Sequence, residues 1–125
     1  MTYRFTIKGR LEGLNEYINA CRTNPHKGNK MKRDAEDYVS WPIRTQLKGV
    51  RIRKPVIIKF DFFEANKRRD LDNISGFAHK VIQDALVKCG VLKNDGWNEV
   101  IRHMDQFYID KKNPRIEVTI VEVGD

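Results

Sequence analysis

Two carboxylates stand two residues apart, at Asp70 and Asp72, and a third, Asp95, follows a long amphipathic segment. Carboxylates held close together repel one another, so such a cluster needs a compensating charge. Magnesium supplies that charge and prefers oxygen ligands. Three cations suited to phosphate precede the pair: Lys67, Arg68 and Arg69. These residue types at this spacing predict a magnesium-dependent phosphodiesterase acting on DNA.

Each part of this pattern also has a purely structural interpretation. An isolated Asp-x-Asp often forms a turn followed by a helix N-cap. Asp95 precedes a glycine, and Asp-Gly is an ordinary turn signal. Arginines beside carboxylates also form surface ion pairs, which contribute little to stability. The spacing alone therefore leaves a structural role for the acids open.

The distribution of charge indicates a polyanionic partner. The 125 residues, with a net charge of +7, are expected to form one domain over residues 1–125. Residues 1–54 hold 13 cations and 5 anions, whereas residues 55–125 hold 11 cations and 12 anions. A basic half beside an acidic cluster suits a nuclease that binds phosphates with one part and metal with the other. Two alternatives fit the same charge: a basic DNA-binding module without catalysis, and a nuclease for branched or flap DNA.

Other kinds of site find little support in the sequence. Cys21 and Cys89 are far apart and form no CxxC motif, which argues against zinc, and we expect both thiols to be reduced in the cytoplasm. His79 and His103 have no nucleophile beside them and are predicted to be surface residues. No apolar run is long enough for a signal peptide or a membrane span. No glycine-rich loop indicates a nucleotide, so the metal is the only cofactor expected.

Apolar periodicity predicts an α+β fold, with two main helices against one face of a small mixed sheet of about four strands. The strands are expected at residues 3–8, 56–63, 99–110 and 115–123, and the helices at residues 30–48 and 73–89. Residues 14–18 indicate a short helical turn, and residues 23–29 a loop. Pro42 is expected to kink or split the first helix. Residues 111–114 predict a hairpin turn between the last two strands.

The acidic pair belongs to a wider pattern: Arg68-Arg69-Asp70-Leu71-Asp72-Asn73, a helix ending in Asp84-Ala85-Leu86, then Gly90-Val91-Leu92 and Asn94-Asp95. This pattern resembles the RusA family of Holliday junction resolvases, and the resemblance covers nearly the whole chain. It implies a homodimeric endonuclease that cuts four-way DNA junctions symmetrically with magnesium, in bacteria and prophages. By position, Asp70, Asp72 and Asp95 match the family's essential carboxylates.

Two positions depart from the family's pattern. The family usually carries a lysine four residues after the second aspartate, where this chain has Gly76. Lys80 is the nearest cation on the same helical face and completes the predicted catalytic set with the three aspartates. Asn94 stands where an acidic residue can precede the third carboxylate.

The residues expected to contact DNA fall into three groups: the run around the acidic pair, a basic cluster ahead of the first helix, and the N-terminal loop. The basic cluster must share a side with the carboxylates to serve that purpose. The predicted set is Lys67, Arg68, Arg69, Asn73, Lys30, Lys32, Arg33 and Asn15.

The helix predicted at residues 73–89 separates the acidic pair from Asp95 by roughly 25 Å, at ~1.5 Å per residue. Magnesium binds its ligands at about 2.1 Å, so one ion cannot span that distance. Either residues 90–95 fold back along the helix, or a second subunit supplies the third carboxylate. We predict a shared site, because an antiparallel pair of these helices gives two equal sites. Gly76 would then permit the close approach of the partner helix.

Overall fold

The computed structural model describes residues 1–124 as three helices and a four-stranded mixed sheet. This confirms the predicted α+β class, with one helix more than the two expected. The elements in chain order are β1 (Thr2–Lys8), α1 (Leu14–Thr23), α2 (Pro25–Gln46), β2 (Val56–Glu64), α3 (Leu71–Lys88), β3 (Val100–Ile109) and β4 (Arg115–Glu122). No helix of residues 1–124 combines the length and the apolar character needed to cross a membrane.

The strand order is β1-β4-β2-β3, so the predicted hairpin between the last two strands is wrong. β4 lies between β1 and β2 and is antiparallel to both, whereas β3 pairs in parallel with β2 on the outside. Parallel strands need a crossover, and α3 supplies it between β2 and β3. The strongly apolar face of β4, with Ile116, Val118 and Ile120 all buried, favours its place inside the sheet.

All three helices cover one face of the sheet. The alternate residues of β2 that face them, Ile58, Phe60 and Phe62, are almost completely buried. They join the apolar stripes of α2 and α3 in one core cluster. The burial of such aromatic and branched side chains is the main driving force of folding, and it fixes α3 above β2 and β3.

The first two helices begin earlier than the sequence predicts. The turn expected at residues 14–18 is the start of α1, and the loop expected at residues 23–29 contains the start of α2. Asn24 accepts a hydrogen bond from the His26 amide at 2.8 Å, and Pro25 occupies the first helical position. Asn-Pro is therefore an N-cap with its N1 proline, not a loop. Pro42 does not split α2, which continues to Gln46.

Candidate active site

The acidic pair lies at the N-terminus of α3. Asp70 is the N-cap residue, and its Oδ1 accepts the amide hydrogen of Asn73 at 2.8 Å. Asp72 lies in the first turn and is exposed. The positive end of the helix dipole stabilises carboxylates at this position. The capping role of Asp70 is thus confirmed, and because one oxygen makes the cap, the other is left for a ligand.

Arg69 does not point to solvent as a phosphate-binding cation would. Its Nε and Nη2 donate to Glu64 at 3.0–3.2 Å, and its Nη1 donates to the carbonyl oxygen of Leu11 at 3.0 Å. The two side chains are only 10% and 7% exposed. A buried carboxylate needs such a bidentate partner. The predicted DNA contact of Arg69 is therefore replaced by a structural ion pair that holds the loop before α3.

Asn73 also has a structural partner. Its Oδ1 accepts the amide hydrogen of Asn15 at 2.9 Å, at the start of α1. The N-cap of α1 is Gly13, which has no side chain to accept that bond. A Cβ on Gly13 would lie 2.5 Å from the Asn73 oxygen, so only glycine allows this approach. Asn73 therefore caps α1 from α3, and neither asparagine is oriented as the DNA contact predicted.

Lys67 and Arg68 are the exposed cations that remain beside Asp70. Neither forms an ion pair with a carboxylate of the described chain. Arg68 lines a surface groove together with Arg10, an exposed residue of the loop after β1. Arg10 was not among the predicted contacts, because only the fold brings its loop beside residues 66–69. The three cations form a positive surface next to the acidic pair.

Asp95 lies at the opposite end of α3. It is exposed and lines a groove with Lys32, Asp84 and Lys88. Among residues 1–124, no three His, Cys, Asp or Glu side chains come close enough together to hold a metal ion. A single chain therefore does not assemble the three predicted ligands. Residues 90–95 do not fold back to the acidic pair, which removes one of the two arrangements considered above.

The basic cluster at the start of α2 lies on the Asp95 side and is largely paired. Lys32 contacts Asp84 at 2.7 Å and Glu36 at 3.0 Å, so it ties α2 to α3. The hydrogen bond to Asp84 raises the pKa of Lys32. Lys30 pairs with Asp34 at 2.6 Å at the surface. Of the three predicted DNA contacts in this cluster, only Arg33 is exposed without a carboxylate partner in the described part of the chain.

Gly76 allows a close approach, but within the chain and not between subunits. A Cβ at this position would lie 2.9 Å from Cδ2 of Leu14 in α1. Next to it, the rings of Tyr17 and Phe77 pack at 4.6 Å. The space that a lysine would need is thus filled by α1, which explains the departure from the family's pattern.

Restoring a lysine with Gly76→Lys is therefore expected to destabilise the protein by about 1–3 kcal/mol, as other overpacked sites do. Urea denaturation measures the change. In a Leu14→Ala background the loss should be smaller, because the colliding side chain is absent. An equal loss in both backgrounds would contradict the contact with Leu14.

The two histidines predicted at the surface form a polar cluster between α3 and β3. His79 contacts Asp105 at 2.8 Å, and His103 contacts Gln83 at 3.0 Å. Their ring centroids are 4.9 Å apart. Burial, and then the neighbouring His79, lower the pKa of His103. This cluster attaches the edge strand to α3 and takes no part in the acidic pair.

The site combines carboxylates at a helix N-terminus with exposed cations, which is a suitable arrangement for a metal-dependent enzyme acting on phosphodiesters. Comparison with family models matches residues 14–121 to the family described as endodeoxyribonuclease RusA. The chain belongs to the RusA family of endodeoxyribonucleases, as its sequence resemblance indicated. A search among curated proteins gave no match.

Proposed function

We propose that this chain is a magnesium-dependent endonuclease that cuts four-way DNA junctions as a homodimer, in recombination and repair. We place it in the bacterial cytoplasm, encoded by a bacterium or a phage. Membership of an endodeoxyribonuclease family supports the nuclease activity. The observation that carries the rest is the placement of the carboxylates: each chain holds the acidic pair at one end of α3 and Asp95 at the other. Each subunit then contributes to two sites, as paired cuts across a symmetric junction require.

The donor chemistry of the acidic pair fits magnesium. Asp70 offers its second oxygen and Asp72 a fully available carboxylate, both hard oxygen ligands. We assign Asp70 and Asp72 of one subunit and Asp95 of the partner subunit as the residues that would hold the ion. When bound, magnesium polarises the scissile phosphate and lowers the pKa of a coordinated water.

The residues of this chain supply the positioning. The cap formed by Asp70 holds its carboxylate in one orientation, which is the kind of rigid support that an active site needs. The buried pair of Arg69 and Glu64 holds the loop that carries the exposed cations. Lys67 and Arg68 then bind the phosphates that flank the cut. Because these contacts reach the backbone and not the bases, the shape and symmetry of the junction determine specificity.

The test compares a synthetic four-way junction, a flap and a linear duplex of the same sequence, each with magnesium. We expect paired, symmetric cuts in the junction, and rates at least about tenfold lower on the other two substrates. Equal rates on junction and flap would favour the alternative of a general branched-DNA nuclease. Binding of the junction without any cutting would favour the DNA-binding module.

Lys80 remains our candidate for the missing lysine, since it is exposed on the outer face of α3. We propose that it neutralises charge on the phosphate or on the leaving oxygen. Lys80→Ala is then expected to lower the single-turnover rate about tenfold while affinity changes less than twofold. Lys88→Ala, also a lysine exposed on α3, is the matched control and should cut at the wild-type rate. A wild-type rate for Lys80→Ala at saturating DNA would rule the role out.

A further inference from the structure

The two edges of the sheet are treated differently by the rest of the chain. At the β1 edge, the side-chain amide of Gln46 bonds to both the amide hydrogen and the carbonyl oxygen of Thr6, at 2.8 and 3.0 Å. The hydroxyl of Tyr38 donates to the carbonyl oxygen of Lys8 at 2.6 Å. Side chains of α2 therefore occupy the main-chain groups that another strand would use. This is a blocked edge.

The β3 edge has no such cover within residues 1–124. β3 is the longest strand, with ten residues, and β2 is its one partner in the sheet. It contains no proline, and Ile101, Met104 and Ile109 are 50%, 38% and 49% exposed. Its C-terminal end continues into an apolar groove with Leu71 of α3, which is 56% exposed, directly beside Asp70. A long, apolar and uncovered edge of this kind is a site for strand pairing.

We propose that β3 forms the dimer seam, pairing antiparallel with β3 of a second copy about a two-fold axis at Met104. The sheet then becomes continuous, with eight strands and all helices on one face. This inference rests on the proposed function, because it supplies the second subunit that the shared site requires.

The register follows from chemical complementarity along β3. Residues directly opposite each other in an antiparallel pair point to the same face. With Met104 on the axis, His103 lies opposite Asp105 of the partner subunit, and Ile101 opposite Phe107 of the partner subunit. An axis at Asp105 would instead oppose two like charges, which is unfavourable.

The position of α3 makes this seam fit the site. His79 contacts Asp105 and Gln83 contacts His103, so α3 runs antiparallel to β3 with residue 81 above Met104. His79 also packs on Phe60 of β2 at 4.6 Å, so the helix covers both strands. The two α3 axes would then be separated by two strand spacings, about 10 Å, which is the usual distance between packed helices.

The same axis brings the two halves of the site together. Asp72 lies nine residues before residue 81, and Gly90 lies nine residues after it. In an antiparallel pair of helices, Asp72 of one subunit is therefore opposite Gly90 of the partner subunit, where the loop to Asp95 begins. Both sites arise equally, one on each side of the axis.

Met104→Glu tests the seam, because it places two like charges at the axis on a side chain that is already exposed. Sedimentation equilibrium should show a wild-type dimer and a folded, monomeric variant that has lost junction cleavage. Trp41→Glu, on the blocked edge at a side chain 72% exposed, is the matched control and should remain dimeric and active. A Met104→Glu protein that stays dimeric, or a wild-type protein that is monomeric throughout, would overturn the seam.

Two outcomes separate the seam from the proposed function. A dissociated Met104→Glu protein that still cuts at the wild-type rate would support the seam and contradict the shared site. A wild-type dimer that dissociates on this substitution but cuts no DNA would support the seam and contradict the nuclease proposal.

A cysteine at the axis provides a positive test. In a Cys21→Ser background, Met104→Cys should form a covalent dimer on mild oxidation, since opposite Cβ atoms lie about 4.5–5.5 Å apart, within reach of a disulfide after small shifts. Trp41→Cys should remain uncrosslinked. A dimer in which Met104→Cys does not crosslink would contradict the register.

Discussion

An Asp70→Asn chain and an Asp95→Asn chain, each inactive alone, are expected to recover cleavage when they are mixed. Each substitution removes a ligand oxygen, so we expect at least a roughly 100-fold loss in each homodimer, more than second-shell changes cause. In a shared site, the mixed dimer has one site with both changes and one with neither. After free exchange of subunits, about a quarter of the wild-type sites are intact.

The products distinguish this result from residual activity. A mixed dimer with one intact site makes a single cut, so a supercoiled cruciform plasmid should become nicked and not linear. Asparagine is also a good N-cap, so Asp70→Asn should keep the helix and the stability of the protein. Its junction binding should be retained or improved, because a negative charge facing phosphate is removed.

The control is a mixture of Asp70→Asn with Asp72→Asn. Both changes fall on the same half of the site, so every dimer lacks a complete site and should stay inactive. If the Asp70→Asn and Asp95→Asn mixture also stays inactive although the subunits exchange, the site is not shared. Recovery in both mixtures would point to a contaminating nuclease and remove support for the assignment.

Arg69→Ala should destabilise the protein by about 3–5 kcal/mol, because it leaves the Glu64 carboxylate buried without a partner. The neighbouring Arg68 is the matched control, since it is exposed. Arg68→Ala should change the free energy of unfolding by less than about 0.5 kcal/mol. It should instead weaken junction binding and reduce the salt dependence of log K by about one unit. Guanidinium denaturation and binding titrations at several salt concentrations measure the two effects.

Reversed results would contradict these roles. An Arg69→Ala protein of wild-type stability with impaired DNA binding would restore the phosphate contact inferred from the sequence. A double change of Glu64→Gln with Arg69→Ala separates the terms further: removing the stranded charge should recover part of the stability that Arg69→Ala loses.

The sequence was most informative where structure depends on local interactions. α3 was predicted within two residues of each end, because a single apolar stripe and an N-cap define it. The position of Asp70 at the start of that helix followed from the same pattern. Asn24-Pro25 misled the prediction because an N-cap followed by proline looks like a turn in isolation.

The arrangement of the sheet and the roles of single side chains depend on distant residues. Nothing near β4 indicates that it pairs with β1 and β2, which precede it by many residues. Arg68 and Arg69 are equivalent in sequence, and only the fold buries the second against Glu64. Gly76 could be recognised as unusual, but its contact with Leu14 appears only when α1 packs on α3.

The most direct measurement of the proposed function is single-turnover cleavage of a synthetic four-way junction, with binding followed in the same samples, in magnesium and in excess chelator. We expect binding in both solutions and paired cuts in magnesium alone, with no cuts by Asp70→Asn in either. Cleavage that continues in excess chelator would contradict the metal dependence. Binding without any cleavage in magnesium would contradict the assignment of the chain as a junction-cutting nuclease.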